Sequence, residues 1–102
     1  MGEFVTIAKR DDIPDGEVRV FKVNGKELAV AHTDEGFFAI DDVCTHDGGP
    51  LGEGYLEDNQ IECPRHGARF DIKTGKAITL PAVIGVNAYP TRVEGDEVQV
   101  EV

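Results

Sequence analysis

Two short stretches hold both cysteines and two of the three histidines of the chain: Cys44-Thr45-His46 and, sixteen residues further on, Cys63-Pro64-Arg65-His66. Thiolate sulfur and imidazole nitrogen together suit a zinc ion or an iron–sulfur centre, and both pairs sit among Gly and Pro, in loops able to fold around a metal. The spacing carries information. In zinc fingers and ribbons each chelating pair is separated by two or more residues, so that both side chains converge on one tetrahedral ion. A one-residue gap between Cys44 and His46 makes that convergence harder, and directing the two ligands of each stretch to two different metal atoms relieves it. Two plainer readings stand beside this one. Cys44 and Cys63 as a disulfide would close eighteen intervening residues and stabilise by about 3 kcal/mol, and all four side chains could instead hold a structural zinc. His32, the remaining histidine, lies in a β-type segment without ligand-like neighbours and is expected to be a structural or surface residue.

The elements that position these loops read as strands. Val98, Val100 and Val102 alternate with Glu97, Gln99 and Glu101, the period-two pattern of a half-buried strand. Glu17 to Val23 and Lys26 to His32 flank Asn24-Gly25, the strongest short hairpin signal, because both central residues of a type I′ turn need positive φ. A third strand, Phe37 to Asp41, follows the turn Asp34-Glu35-Gly36; Thr74-Gly75 marks another turn, and Glu94-Gly95-Asp96 joins a strand around Asn87 to Val93 to the last one. No stretch carries an amphipathic helix. The expected fold class is all-β, in one domain over residues 1–102. Between Asp41 and Phe70 only Gln60 to Glu62 reads as strand, and a loop-rich region of this length inside a small β domain points to function.

Charge excludes several partners. Ten Lys plus Arg against twenty Asp plus Glu leave a net charge of −10, which argues against nucleic acid and against an anionic membrane. No apolar run approaches the roughly 20 residues of a membrane span, and the start, MGEFVTIAKR, does not resemble a secretory leader, so a cytoplasmic setting is expected. From Glu27 to Pro64 there are ten acids and no Lys or Arg, so an acidic face could steer association with a basic partner. Arg65, Arg69, Lys73 and Lys76, just beyond, could touch a partner or balance the nearby acids, but are expected to be ordinary solvated charges. Gly52-Glu53-Gly54 begins like a dinucleotide-binding G-x-G-x-x-G but lacks the last glycine and the following helix.

With CTHDGGPL at 44–51 and CPRHGARFD at 63–71, the chain resembles the Rieske [2Fe-2S] proteins, and among them the small ferredoxins of bacterial ring-hydroxylating oxygenase systems. The resemblance extends to the Thr74-Gly75 turn and to Leu80-Pro81-Ala82, similar to the family's third loop beside the cluster. It implies small antiparallel sheets or a flattened barrel as a base, with a loop-built cluster-binding subdomain over about residues 41–71. Carried over by position, Cys44 and Cys63 would hold one iron as thiolates, His46 and His66 the other, with two sulfides bridging them. Pro50, Leu51 and Pro81 would pack around the cluster, Phe70 would shield it, and Gly48, Gly49 and Gly67 would serve tight loop backbone. Two ferric ions, two sulfides and two thiolates are neutral together, whereas four thiolates would leave a dianion. Adding an electron to the neutral centre costs less, which lifts the potential from about −400 mV into the range of roughly −150 to +300 mV.

Departures from the family's respiratory branch matter here. Gly49 and Arg65 replace the two cysteines that form a disulfide in that branch, and Ala68 and Phe70 replace a serine and a tyrosine whose hydroxyls donate to cluster sulfurs. A potential near the low end of the range follows. The resemblance also implies exposed outer nitrogens on His46 and His66, and a potential that falls as pH rises. Too few histidines remain for a mononuclear iron site, so the expected role is not an enzyme but a one-electron carrier, a monomeric shuttle from a flavin-dependent reductase to a terminal oxygenase. A zinc-stabilised interaction domain and a Rieske subunit of a nitrite-reductase type system are the alternatives.

Overall fold

The computed structural model describes residues 3–43, 51–63, 67–78 and 85–102. Among them, in chain order, lie ten short strands: β1 (Phe4–Lys9), β2 (Val18–Val23), β3 (Lys26–Thr33), β4 (Gly36–Asp41), β5 (Tyr55–Glu57), β6 (Gln60–Glu62), β7 (Arg69–Asp71), β8 (Ala88–Tyr89), β9 (Thr91–Glu94) and β10 (Glu97–Glu101). Two single 3-10 turns, Arg10–Asp12 and Leu51–Glu53, are the only helical segments described. The strands form three antiparallel sheets, ordered β1-β10-β9, β2-β3-β4-β8 and β5-β6-β7.

The middle sheet explains how they stack. Leu28, Ala29, Val30 and Ala31 of β3 are all buried, and since successive side chains point to opposite faces, this strand needs a cover on each side. Leu28 and Val30, with Phe37 and Ala39 of β4, pack against Val98 and Val100 of β10. Ala29, Ala31 and Ile40 face the other way, into a core with Leu51, Ile61, Cys63, Ala68, Phe70 and Ile72. The first two sheets are thus the base, and the third is the backbone of the subdomain that carries the second cysteine. Small alanines on the β3 face toward that subdomain leave room for Phe70.

The hairpin at Asn24-Gly25 forms with φ of 50° and 81°, as its residue types demand. Three elements differ from the pattern read in the sequence. The stretch Asn87 to Val93 is not one strand: Pro90, which has no N–H to give a ladder, separates β8, paired with β4, from β9, paired with β10. The loop-rich region contains β5 and β7 as well as β6, because Asp58 and Asn59 adopt φ of 50° and 63° and turn a hairpin without glycine. An amino-terminal strand, β1, pairs with β10, and a register shift between Thr6 and Ala8 lets Ile7 and Ala8 both pack inward, which breaks the alternation that would reveal it.

Candidate metal centre

Cys63 directly follows β6, wholly excluded from solvent and in no disulfide. A tight turn holds its backbone: the Cys63 N–H donates to the Ala68 carbonyl at 2.7 Å, and the Gly67 N–H to the Cys63 carbonyl at 3.1 Å. Gly67 has a φ of 74°, a conformation that costs a residue bearing Cβ but not glycine. The turn carries the chain from β6 into β7 within six residues, 63–68, and sets Cys63 beside Leu51, Ala68 and Phe70. Phe70, fully buried, is the largest of these, and its truncation to Ala would cost about 3–5 kcal/mol.

Of the four ligand candidates, Cys63 is the one the structure describes. Cys44, His46 and His66 lie outside the described residues, as do Gly48, Gly49, Pro50, Arg65, Leu80, Pro81 and Ala82. Among the described residues no three His, Cys, Asp or Glu side chains converge as a metal site. The described residues do fix the bases of the three loops. Chain 43–51 starts after Asp42 and returns at Gly52, whose N–H reaches the Asp42 carboxylate at 2.5 Å. The second loop is the Cys63 turn. The third is closed where the Val86 N–H donates to the Gly75 carbonyl at 2.8 Å and the Ile78 N–H to that of Arg69 at 2.8 Å. Leu51, Cys63, Ala68, Ala77 and Val86 all belong to one apolar core, so the three loops spring from common ground.

This environment fits an iron–sulfur centre. A thiol buried without water among apolar side chains is a soft donor in a dry setting, and Ala68 and Phe70 bring no hydroxyl. Leu51 and Phe70 pack in the same core as Cys63.

The charges around the site differ from expectation. Arg69 lies across the β5-β6-β7 sheet, 3.0 Å from Glu57 and 2.9 Å from Glu62, with a further hydrogen bond to Gln60 at 3.3 Å. Hydrogen bonds to Glu57 and Glu62 hold its guanidinium above the ordinary arginine range. Lys73 pairs with Glu35 of the β3–β4 turn, and Asn59 donates to the same carboxylate at 2.9 Å. The bond from Lys73 and its charge hold Glu35 below the usual carboxylate range. These two cations are therefore not ordinary solvated charges; they offset acids of the base-free stretch and tie strands together.

His32 is structural, as expected. Its Nδ1–H donates to the Ile13 carbonyl at 2.8 Å and its ring stacks on Phe37, centroids 4.1 Å apart. The half-matched glycines are packing positions: a Cβ on Gly54 would stand 1.9 Å from the Glu62 carbonyl oxygen, and one on Gly52 2.1 Å from Val20 Cγ2. Sequence reading missed Asp41, whose carboxylate accepts the Tyr89 hydroxyl at 2.6 Å and the Asn87 N–H at 3.1 Å, fastening β8 to the end of β4. Its place just before a Cys-x-His loop was the available signal.

Three small antiparallel sheets with no α-helix described, and a solvent-excluded cysteine where β6 gives way to the chain leading into β7, define a small β domain with a soft donor buried in its core. The chain belongs to the Rieske [2Fe-2S] domain family, which matches residues 3–90. It is 40% identical over 98 residues to the ferredoxin component of the naphthalene 1,2-dioxygenase/salicylate 5-hydroxylase systems of Ralstonia sp., covering 96% of this chain and 94% of the relative. The ferredoxin of carbazole 1,9a-dioxygenase from Nocardioides aromaticivorans IC177 matches with a TM-score of 0.91 at 35% identity, over 95% of each chain. A chain in the complex of reduced oxygenase and oxidized ferredoxin of a carbazole 1,9a-dioxygenase matches with a TM-score of 0.88 at 31% identity, over 96% of this chain and 92% of that one. The chain is accordingly an electron-transfer protein of the ferredoxin class with one [2Fe-2S] cluster, and not a catalytic subunit.

Proposed function

We propose that this ferredoxin carries single electrons from a flavin-dependent reductase to the terminal oxygenase of a ring-hydroxylating system, as a monomer in the cytoplasm. The observation that carries this is the match over nearly the whole length of both chains to the ferredoxin component of a dioxygenase system. The ferredoxin–oxygenase complex among the structural matches supports an oxygenase as the electron acceptor. No helix of the described residues is long and apolar enough to cross a membrane, which agrees with the setting proposed.

The cluster's ligands are Cys44 and Cys63 on one iron and His46 and His66 on the other, within one domain spanning 1–102 whose cluster-binding region covers about 41–71. The buried Cys63 thiol supports the first pair. When bound, the cluster would supply a one-electron couple. The chain's own residues keep water from the sulfur side, through Leu51, Ala68 and Phe70, and hold the loop bases in place through the hydrogen bonds at Gly52, Cys63 and Val86.

The test is reconstitution. Purified protein, a flavin-dependent reductase of an aromatic dioxygenase system, NADH and the terminal oxygenase should together hydroxylate substrate, and omission of this protein should abolish turnover. Efficient reduction by a nitrite-reductase flavoprotein, with no transfer to any aromatic-ring oxygenase, would move the protein to the other kind of redox complex.

A further inference from the structure

Asp42 stands between β4 and the first ligand loop, two residues before Cys44, and nothing above gives it a task in electron transfer. Its backbone is fixed, the N–H donating to the Glu27 carbonyl at 3.0 Å. Its side chain reaches across the loop: Oδ1 accepts the Gly52 N–H at 2.5 Å. The nine residues 43–51 are therefore closed at their base by a carboxylate. The second and third loops, where the described residues show their closure, use backbone carbonyls instead. A hydrogen bond from N–H to a carboxylate is about twice as strong as one between neutral groups, and it needs one particular side chain.

The far end of the closure has a matching requirement. A Cβ on Gly52 would meet Val20 Cγ2 at 2.1 Å and Asp42 Oδ1 at 3.0 Å, so any larger residue must displace one or both of these side chains. Next to it, Leu51 is fully buried in the core that holds Cys63. The carboxylate thus registers the returning end of the first loop against the core from which the second loop rises. Asp41, on the opposite side of the same strand end, fastens β8 where the chain returns from the third loop.

We propose that Asp42 is a positioning residue for the cluster: its carboxylate, through the Gly52 N–H, ties together the two ends of the segment that carries Cys44 and His46, and so helps the protein retain its cluster. This rests on the ligand assignment proposed above. Groups hydrogen-bonded directly to a metal ligand typically change metal affinity by about 10- to 100-fold when removed, and a carboxylate acting through a loop base belongs at the lower end of that range.

The experiment follows cluster loss from the holoprotein in a ferrous chelator, by visible absorption and by iron and sulfide content, for wild type, Asp42→Ala, Asp42→Asn and Cys44→Ala. Asp42→Ala should lose its cluster roughly ten-fold faster or more, at temperatures well below unfolding and with unchanged far-ultraviolet circular dichroism. Asp42→Asn, whose amide oxygen still accepts the Gly52 N–H, should restore retention to within a few-fold. Equal rates for wild type and Asp42→Ala overturn the proposal, as does an Asn variant no better than the Ala variant. Where Asp42→Ala accumulates no holoprotein, amide hydrogen exchange on the wild-type holoprotein decides: a protected Gly52 N–H supports the closure, and exchange at the rate of open chain overturns it. A Cys44→Ala protein that keeps its cluster would defeat the ligand assignment itself; cluster loss in Cys44→Ala beside wild-type behaviour in Asp42→Ala defeats the role of Asp42 alone.

Discussion

At Phe70 and Ala68 the chain trades polar contact for dryness. Both are buried beside Cys63, and neither brings a hydroxyl, so no side-chain donor from these positions stabilises extra charge on the sulfurs. Replacing Phe70 by Tyr places a phenolic O–H where the respiratory branch has one, and the midpoint potential should rise by on the order of 50–100 mV, one good hydrogen bond's worth for a one-electron couple. Protein-film voltammetry checks this, and an unchanged or lower potential would contradict it. Tyr89 gives a second test. Desolvation by burial, then its hydrogen bond to Asp41 and that residue's charge, raise its pKa from 10.0 to about 12. The folded state therefore keeps the proton that the unfolded state releases, so the stabilisation is complete below pH 10 and is lost as pH rises from 10 toward 12. Urea unfolding should show that decline in wild type and a flatter profile in Tyr89→Phe.

Among the elements, the third sheet makes the most specific demand. β5 and β6 approach so closely at Gly54 that a Cβ there would collide with the Glu62 backbone. Gly54→Ala should therefore destabilise by about 1–3 kcal/mol in chemical denaturation, since backbone rather than a mobile side chain must give way. A change below a few tenths would contradict that account. How far such elements could be read in advance depended on local chemistry. Asn24-Gly25 announced its hairpin because both residues tolerate positive φ, whereas Asp58-Asn59 makes the same demand with a weaker signal and hid β5. Pro90 sat inside a stretch read as a single strand, and its missing N–H ends one sheet and starts another. β1 was masked by a bulge that turns two neighbouring residues inward. The family was legible in the types and spacing of Cys44, His46, Cys63 and His66, since metal chemistry restricts ligands more tightly than packing restricts strands, and of these four the structure describes Cys63. Asp42 was not, because a loop-closing carboxylate looks like any acid in an acidic stretch.

Across the whole molecule, charge is the property most exposed to a partner. The net charge of −10 is drawn from a region without a base of its own, and even with Arg69 and Lys73 paired to three of its acids the surplus remains large. Electron transfer to a basic partner should slow several-fold between about 0.05 and 0.5 M salt as screening shortens the reach of these charges. Stopped-flow kinetics against the oxygenase would show it, and a rate independent of salt would mean that steering plays no part. Loop bases anchored in one apolar core, with a two-sheet base behind them, are what a carrier needs in order to change its charge without changing its shape. The most direct test is iron and acid-labile sulfide analysis of anaerobically purified protein, wild type beside Ala variants at positions 44, 46, 63 and 66. Wild type should hold two irons and two sulfides per chain and each single variant should lose them; zinc in place of iron, or a cluster that survives loss of His46 or His66, would contradict the account.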